Sequence, residues 1–242
     1  MNAAPLADSI ALVTGASRGI GAATAVALAR LGAHVVATAR TQGGLEETDD
    51  AIRAVGGSAT LLPLDLKEAA PVDAIGPSLY QRFGRLDILV HCAGALGRVT
   101  PVAQIMPDDW DDAVGVNLNA TLRLIRTCDP LLRAAPDGRA VFVTDARARA
   151  PLAYWGAYGA TKAGMEHLVL TWADELHTTK LRVNLFDPGM VRSRLRYRAF
   201  PGEDQDSLPV PADVAPALAT LCLPSETRHG DLIRVADQGF RP

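Results

Sequence analysis

Tyr158 and Lys162 stand four residues apart in the stretch WGAYGATKAG, so on a helix both side chains project from one face. A tyrosine hydroxyl ordinarily titrates near ~10, and a neighbouring ammonium favours the phenolate and draws that value toward working pH. Such a pair can give a proton to a carbonyl or take one from an alcohol. A bare YxxxK also occurs on ordinary helix surfaces, so the pair needs company elsewhere in the chain. Tyr154 lies one turn earlier without a lysine to follow it, and reads as packing or pocket lining.

Company is found near the N-terminus in TGASRGIG, residues 14–21. Gly15, Gly19 and Gly21, with Ser17, Arg18 and Ile20 between them, form a turn whose backbone can approach a pyrophosphate at the free N–H groups of a helix start. In dinucleotide sites an acidic residue about 20 positions further on takes the 2′-hydroxyl of NAD. This chain has Ala39 there, followed by Arg40. A carboxylate would repel a 2′-phosphate, whereas Arg40 and Arg18 can pair with one. The expected cofactor is therefore NADP(H), in preference to NAD(H).

These groups need a scaffold that brings distant segments to one place. Short apolar, β-branched runs recur at 10–14, 34–39, 59–64, 87–92, 140–144, 181–186 and 231–236, each with the character of a buried strand. Between them, helical spacing appears at 20–31, 45–55, 110–132, 158–176 and 212–223. Alternating strands and helices predict an α/β fold: one doubly wound Rossmann-type domain spanning 1–242, with a parallel sheet of about seven strands. The segment 193–211, SRLRYRAFPGEDQDSLPVP, is rich in charge and proline, and is expected to be an irregular loop serving as a substrate lid. Around it, Arg192, Arg194, Arg196 and Arg198 alternate ahead of Glu203, Asp204 and Asp206. They can recruit an anionic substrate or pair with one another.

Composition narrows the function classes. The chain has 242 residues, 48% of them hydrophobic and 21% charged, as expected of a folded globular protein. A net charge of -3 gives no basic surface for nucleic acid. Cys92, Cys128 and Cys222 are widely separated, so neither a zinc site nor a disulfide framework is indicated, and no metal is expected. The opening MNAAPLADSI lacks the pattern of a leader, and no run approaches the ~18 apolar residues of a membrane span, so the default location is cytoplasmic.

Six motifs fall in one order: TGASRGIG, LDL with Asp65 and Leu66, HCAGA with Cys92, Ala93 and Gly94, VNL with Asn117, YGATK, and PGMVRS with Pro188, Gly189, Val191 and Ser193. In order and spacing the chain resembles the short-chain dehydrogenase/reductase family over essentially its whole length. WGAY at 155–158 and AFPGED at 199–204 resemble a bacterial subgroup of uncharacterised oxidoreductases.

The resemblance implies that Asp65 and Leu66 meet the adenine, that the 92–94 turn backs the cofactor, and that Asn117 holds a proton-relay water beside Lys162. It also implies that Lys162 binds the nicotinamide ribose, that Pro188, Gly189, Val191 and Ser193 flank the nicotinamide, and that the protein is a homodimer or homotetramer. Three positions depart from the family pattern, one of them Ser193, which stands in the place of the usual threonine. Cys92 stands where asparagine is usual, and Asp145 stands thirteen residues before Tyr158, where the family has a serine that donates to the substrate carbonyl.

An ionised carboxylate has no proton to donate and repels a developing oxyanion. Thr144 could supply the hydroxyl, Asp145 could be held protonated, or the contact is lost. Asp145 could equally pair with Arg147 or Arg149 and take no part. The expected activity is NADP(H)-dependent hydride transfer to or from a small carbonyl or alcohol substrate. The alternative is an NADP(H)-binding protein of this fold with weak or no turnover.

Overall fold

The computed structural model describes residues 4–238. The first three residues of MNAAPLADSI and residues 239–242 lie outside the described residues. Seven strands run parallel in one sheet of order β3-β2-β1-β4-β5-β6-β7. They are β1 (Ile10–Thr14), β2 (His34–Ala39), β3 (Ser58–Pro63), β4 (Ile88–His91), β5 (Arg139–Val143), β6 (Arg182–Asp187) and β7 (Leu232–Arg234). β1, β4 and β5 are buried along their whole length, as the apolar runs of a sheet covered on both faces require.

Period-two alternation feeds the two faces. Leu12, Leu89 and Phe142 enter one core, while Ala11, Val13, Val90 and Val141 enter the other. The first core is closed by α3 (Ala69–Asp73), α4 (Ile75–Phe83), α6 (Ala120–Ala134) and α7 (Gly156–Glu175), through Val72, Leu79, Leu124, Cys128, Met165 and Trp172 among others. The second is closed by α1 (Gly19–Arg30), α2 (Gln42–Ala54) and α9 (Pro211–Thr220), through Leu28, Leu45, Ile52 and Leu218. This is the doubly wound α/β fold expected. Among the described residues no helix is long and apolar enough to cross a membrane.

Three features differ from the pattern-based reading. The stretch before β4 folds as α3 and α4, although Pro71, Gly76 and Pro77 break its helical signature. Proline is tolerated in a first helical turn, where the missing N–H has no partner to lose. The helix expected over 110–132 is α5 (Pro107–Ala113) and α6 joined by a π-helical turn, Val114–Asn119.

The third difference is in the segment expected to be irregular, which contains α8 (Arg194–Ala199) and a 3₁₀ turn at Gln205–Ser207. The Ser193 hydroxyl accepts the Arg196 N–H at 3.1 Å, and Arg196 pairs with Glu203, so the charges that argued against order supply it. Arg192 N donates to the Pro209 carbonyl at 2.8 Å and ties the two ends of this segment together.

Candidate active site

The chain runs β1, β2, β3 outward, then returns to place β4 on the other side of β1. At such a switch point the connecting loops part and leave a crevice beyond the carboxyl ends of the strands. Every segment singled out in the sequence arrives there: the glycine loop after β1, Arg40 after β2, Asp65 after β3, the 92–94 turn after β4, Thr144 and Asp145 after β5, and Pro188 and Gly189 after β6. Together they line a cleft of about 850 Å³.

One end of the cleft is a narrow backbone cradle. A Cβ on Gly21 would sit 2.3 Å from the Gly15 carbonyl, and one on Gly15, whose φ is +67°, would sit 2.8 Å from Ala93 N. Glycine is thus required where β1, α1 and the turn after β4 converge. No side chain caps the start of α1, so its first N–H groups remain available to an anion. Arg18 and Arg40 line this end, and among the described residues neither forms an ion pair with a carboxylate. Asp65, after β3 and next to the strand end that carries Arg40, accepts the Lys67 N–H at 3.0 Å. This donor set fits a dinucleotide bearing an additional phosphate.

At the other end stand Tyr158 and Lys162, one turn apart on the buried face of α7. Lys162 Nζ donates to the Val143 carbonyl at 2.8 Å. Burial lowers its pKa to about 8, against the pull of Asp145, Cys92 and Glu166. Tyr158 has surroundings that spacing alone does not reveal. Burial pushes its hydroxyl well above the ordinary value, and the charges of Asp145 and Asp187 add to the rise. Desolvation and two carboxylates act in the same direction and hold the residue protonated.

Asn117, in the π-helical turn, is fully buried. Its Oδ1 accepts Ala95 N at 2.8 Å, and its Nδ2 donates to the Ala95 carbonyl at 2.8 Å and to Thr161 Oγ1 at 2.9 Å. The side chain therefore ties the turn after β4 to α7. Gly94 lies between Asn117 and Lys162, since a Cβ there would be 3.6 Å from Asn117 Oδ1 and 3.9 Å from Lys162 Nζ. Cys92 is a packing residue whose thiol burial raises to about 12.

Thr144 cannot stand in for the missing serine in this geometry. Its only hydroxyl proton is donated to Glu166 Oε1. Asp145 lines the cleft, with Oδ1 accepting the Arg147 N–H at 2.8 Å and lying 4.0 Å from Arg147 Nε. Arg149 turns away from Asp145. It pairs with Glu166 and donates to Asp187 Oδ2 at 2.6 Å, while Asp187 Oδ1 accepts the Gly189 N–H at 3.0 Å.

This cluster, in which the exposed Arg149 covers the buried Thr144, Glu166 and Asp187, was absent from the sequence reading. The one available signal was Glu166, which continues the four-residue series of Tyr158 and Lys162 on α7. Tyr154, read as packing or pocket lining, is exposed, with φ +75°.

Above Tyr158, Trp155 stacks edge-on at 5.7 Å, and Phe200 lies 5.5 Å from Trp155. Leu96, Leu195 and Ala199 complete an apolar wall. Arg192 pairs with Asp206 and Arg196 with Glu203. Arg194 and Arg198 face the cleft without a carboxylate partner among the described residues. No group of three or more His, Cys, Asp or Glu side chains among the described residues is placed to hold a metal ion.

The family model for short chain dehydrogenases matches residues 9–204. The chain belongs to the short-chain dehydrogenase family. This short-chain dehydrogenase is 35% identical to the uncharacterised oxidoreductase YciK of Escherichia coli K12, over 98% of this chain and 95% of the relative. Among solved structures, a short-chain dehydrogenase of Shigella flexneri 2a complexed with NADP superposes with a TM-score of 0.92 and 34% identity, covering 97% of this chain and all of that one (100%). Another, from Escherichia coli CFT073 and complexed with NADPH, gives a TM-score of 0.91 and 35% identity over 97% and 99% of the two chains.

Proposed function

We propose that the protein is an NADP(H)-dependent oxidoreductase that moves a hydride between the nicotinamide and a carbonyl or alcohol carbon, with Tyr158 as acid and base. The observation that carries this reading is the cleft itself. One end offers Arg18, Arg40 and an uncapped helix start, and the other offers Tyr158 and Lys162 on one buried helix face. The NADP and NADPH complexes of two relatives support the cofactor.

When bound, NADP(H) supplies or takes up the hydride. Gly15, Ser17, Arg18, Gly19, Ile20 and Gly21 hold its phosphates, Arg40 the 2′-phosphate, and Asp65 and Leu66 the adenine side. Cys92, Ala93, Gly94, Pro188, Gly189, Val191 and Ser193 form the walls around the remainder. Lys162 holds the ribose, Asn117 orders the relay behind it, and Tyr158, protonated, gives its proton to the substrate oxygen. The 193–211 segment acts as a lid, and Arg194 and Arg198 on it receive an anionic part of the substrate. The test is NADPH oxidation against a panel of aldehydes, ketones and quinones.

Arg40→Asp is expected to weaken NADPH binding by about 10- to 100-fold, the worth of one charge-assisted contact, and to leave NADH affinity equal or improved. Titration of both nucleotides by nicotinamide fluorescence checks this. Unchanged discrimination would remove Arg40 from the 2′-phosphate site.

A second reading has one observation in its favour. Asp145 presents an acceptor where the family presents a donor, which fits a cofactor-binding protein with weak or no carbonyl turnover. In either case assembly as a homodimer or homotetramer would use α6 and α7, where Leu122 and Leu170 are exposed.

A further inference from the structure

We propose a further activity of the same site: hydride transfer to a positively charged C=N bond, in a protonated or quaternary cyclic imine, with Asp145 as the counter-charge. It rests on the NADP(H)-dependent reading above. Asp145 shares the cleft wall with Tyr158 and Lys162, and its side chain is 33% exposed. One carboxylate oxygen takes the Arg147 N–H, and the other has no hydrogen-bond partner among the described residues. The hydroxyl of Thr144 is committed to Glu166, and the ammonium of Lys162 gives one of its three protons to the Val143 carbonyl. The hydroxyl that would donate to a carbonyl oxygen is therefore missing at the Asp145 position.

The two substrate classes place opposite charge at this point. Carbonyl reduction gathers negative charge on oxygen, which a carboxylate opposes. An iminium starts positive and ends as a neutral amine. Beside a carboxylate, the bound cation is stabilised, and a neutral imine is held in its protonated, hydride-accepting form.

The carbon of the C=N bond accepts the hydride with its electron pair, the π pair withdraws to nitrogen as a lone pair, and NADPH is converted to NADP⁺. A protonated imine brings its own proton, and a quaternary one needs none.

A cation of the protein itself already neighbours Asp145 and Trp155. The Arg147 guanidinium lies 6.0 Å from the Trp155 ring centroid, with Nε 4.0 Å from Asp145. Both partners are about one-third exposed, so their mutual attraction is small and gives way to an entering ligand. The wall of Trp155, Tyr158 and Phe200 suits a planar cation, because aromatic faces attract positive charge.

The test compares two fused bicycles of similar size, N-methyl-3,4-dihydroisoquinolinium and 1-tetralone. Each is presented to the wild-type protein, Asp145→Asn and Asp145→Ser with NADPH. Asn and Ser keep an oxygen to accept the Arg147 N–H, so the turn is preserved, and retained NADPH binding verifies the fold. The wild-type kcat/KM is expected to favour the iminium. Both variants should lose about tenfold or more on it, and Asp145→Ser should gain on the ketone.

Calorimetric binding of the same cation to the NADP⁺-loaded protein should weaken about tenfold in Asp145→Asn, a readout free of turnover. Ketone turnover without iminium turnover, or equal cation affinity in Asp145→Asn, overturns the inference and leaves the oxidoreductase reading standing. NADPH binding with no oxidation on either probe by any of the three proteins overturns both.

Discussion

Tyr158→Phe is expected to lower kcat by about 10²- to 10⁴-fold on carbonyl substrates while NADPH binding stays within a factor of two or so. The ring is buried against Trp155 and Leu96, and the substitution removes only the hydroxyl, so the apolar wall and the fold are kept. Burial and the charges of Asp145 and Asp187 hold that hydroxyl protonated, which suits a group that must give its proton away during reduction. Lys162 sets the upper pH limit. Its ammonium, lowered to about 8 by burial, discharges as pH rises through that value, and kcat/KM for reduction should fall across the same range. Steady-state kinetics from pH 6 to 10 measure both effects. A Phe variant that keeps most of its carbonyl turnover would show that Tyr158 is not the acid.

Arg149→Leu should reduce folding stability by about 1–3 kcal/mol, the usual consequence of leaving buried acceptors without a donor. Here two carboxylates are stranded, because Glu166 and Asp187 both pair with Arg149 and both are buried. For a domain of this size the loss corresponds to a melting temperature lowered by about 5 °C. Arg149→Lys should recover part of it, since one ammonium can reach only one of the two acids. A melting point within about 2 °C of the wild type would mean that water replaces the guanidinium freely.

The variant should also report on the site. Arg149 links the loop after β5 to α7 and to the end of β6, and Asp187 in turn holds the Gly189 N–H beside the cleft. Weaker NADPH binding in the folded variant is the expected result.

Much of this architecture was legible because buried parallel strands leave uninterrupted apolar runs, and TGASRGIG and YGATK mark where such runs meet helices. Residues 69–83 were illegible because their prolines and glycine break helical spacing, while Val72, Ile75 and Leu79 acquire a role only once α6 is packed against them. The order of the strands, and so the position of the crevice, depends on crossovers that no local pattern encodes. Of the two partners open to Asp145, Arg147 takes the place and Arg149 does not, for a related reason. Asp145 is its neighbour in sequence, but the extended backbone at Asp145 and the 3₁₀ turn that follows it direct Arg149 to Glu166 and Asp187 instead. The rise of the Tyr158 hydroxyl was illegible because spacing reveals the ammonium but not the burial.

The bond from Arg192 N to the Pro209 carbonyl closes a neck beneath α8, and Arg196 with Glu203 and Arg192 with Asp206 satisfy charges within the loop's own span. Such a unit can be recombined. Related loops of other length or sequence could be grafted between the same two anchor points without disturbing the strands below. Substrate range can then diversify in evolution, or in a designed library, while the phosphate cradle and the sheet remain constant.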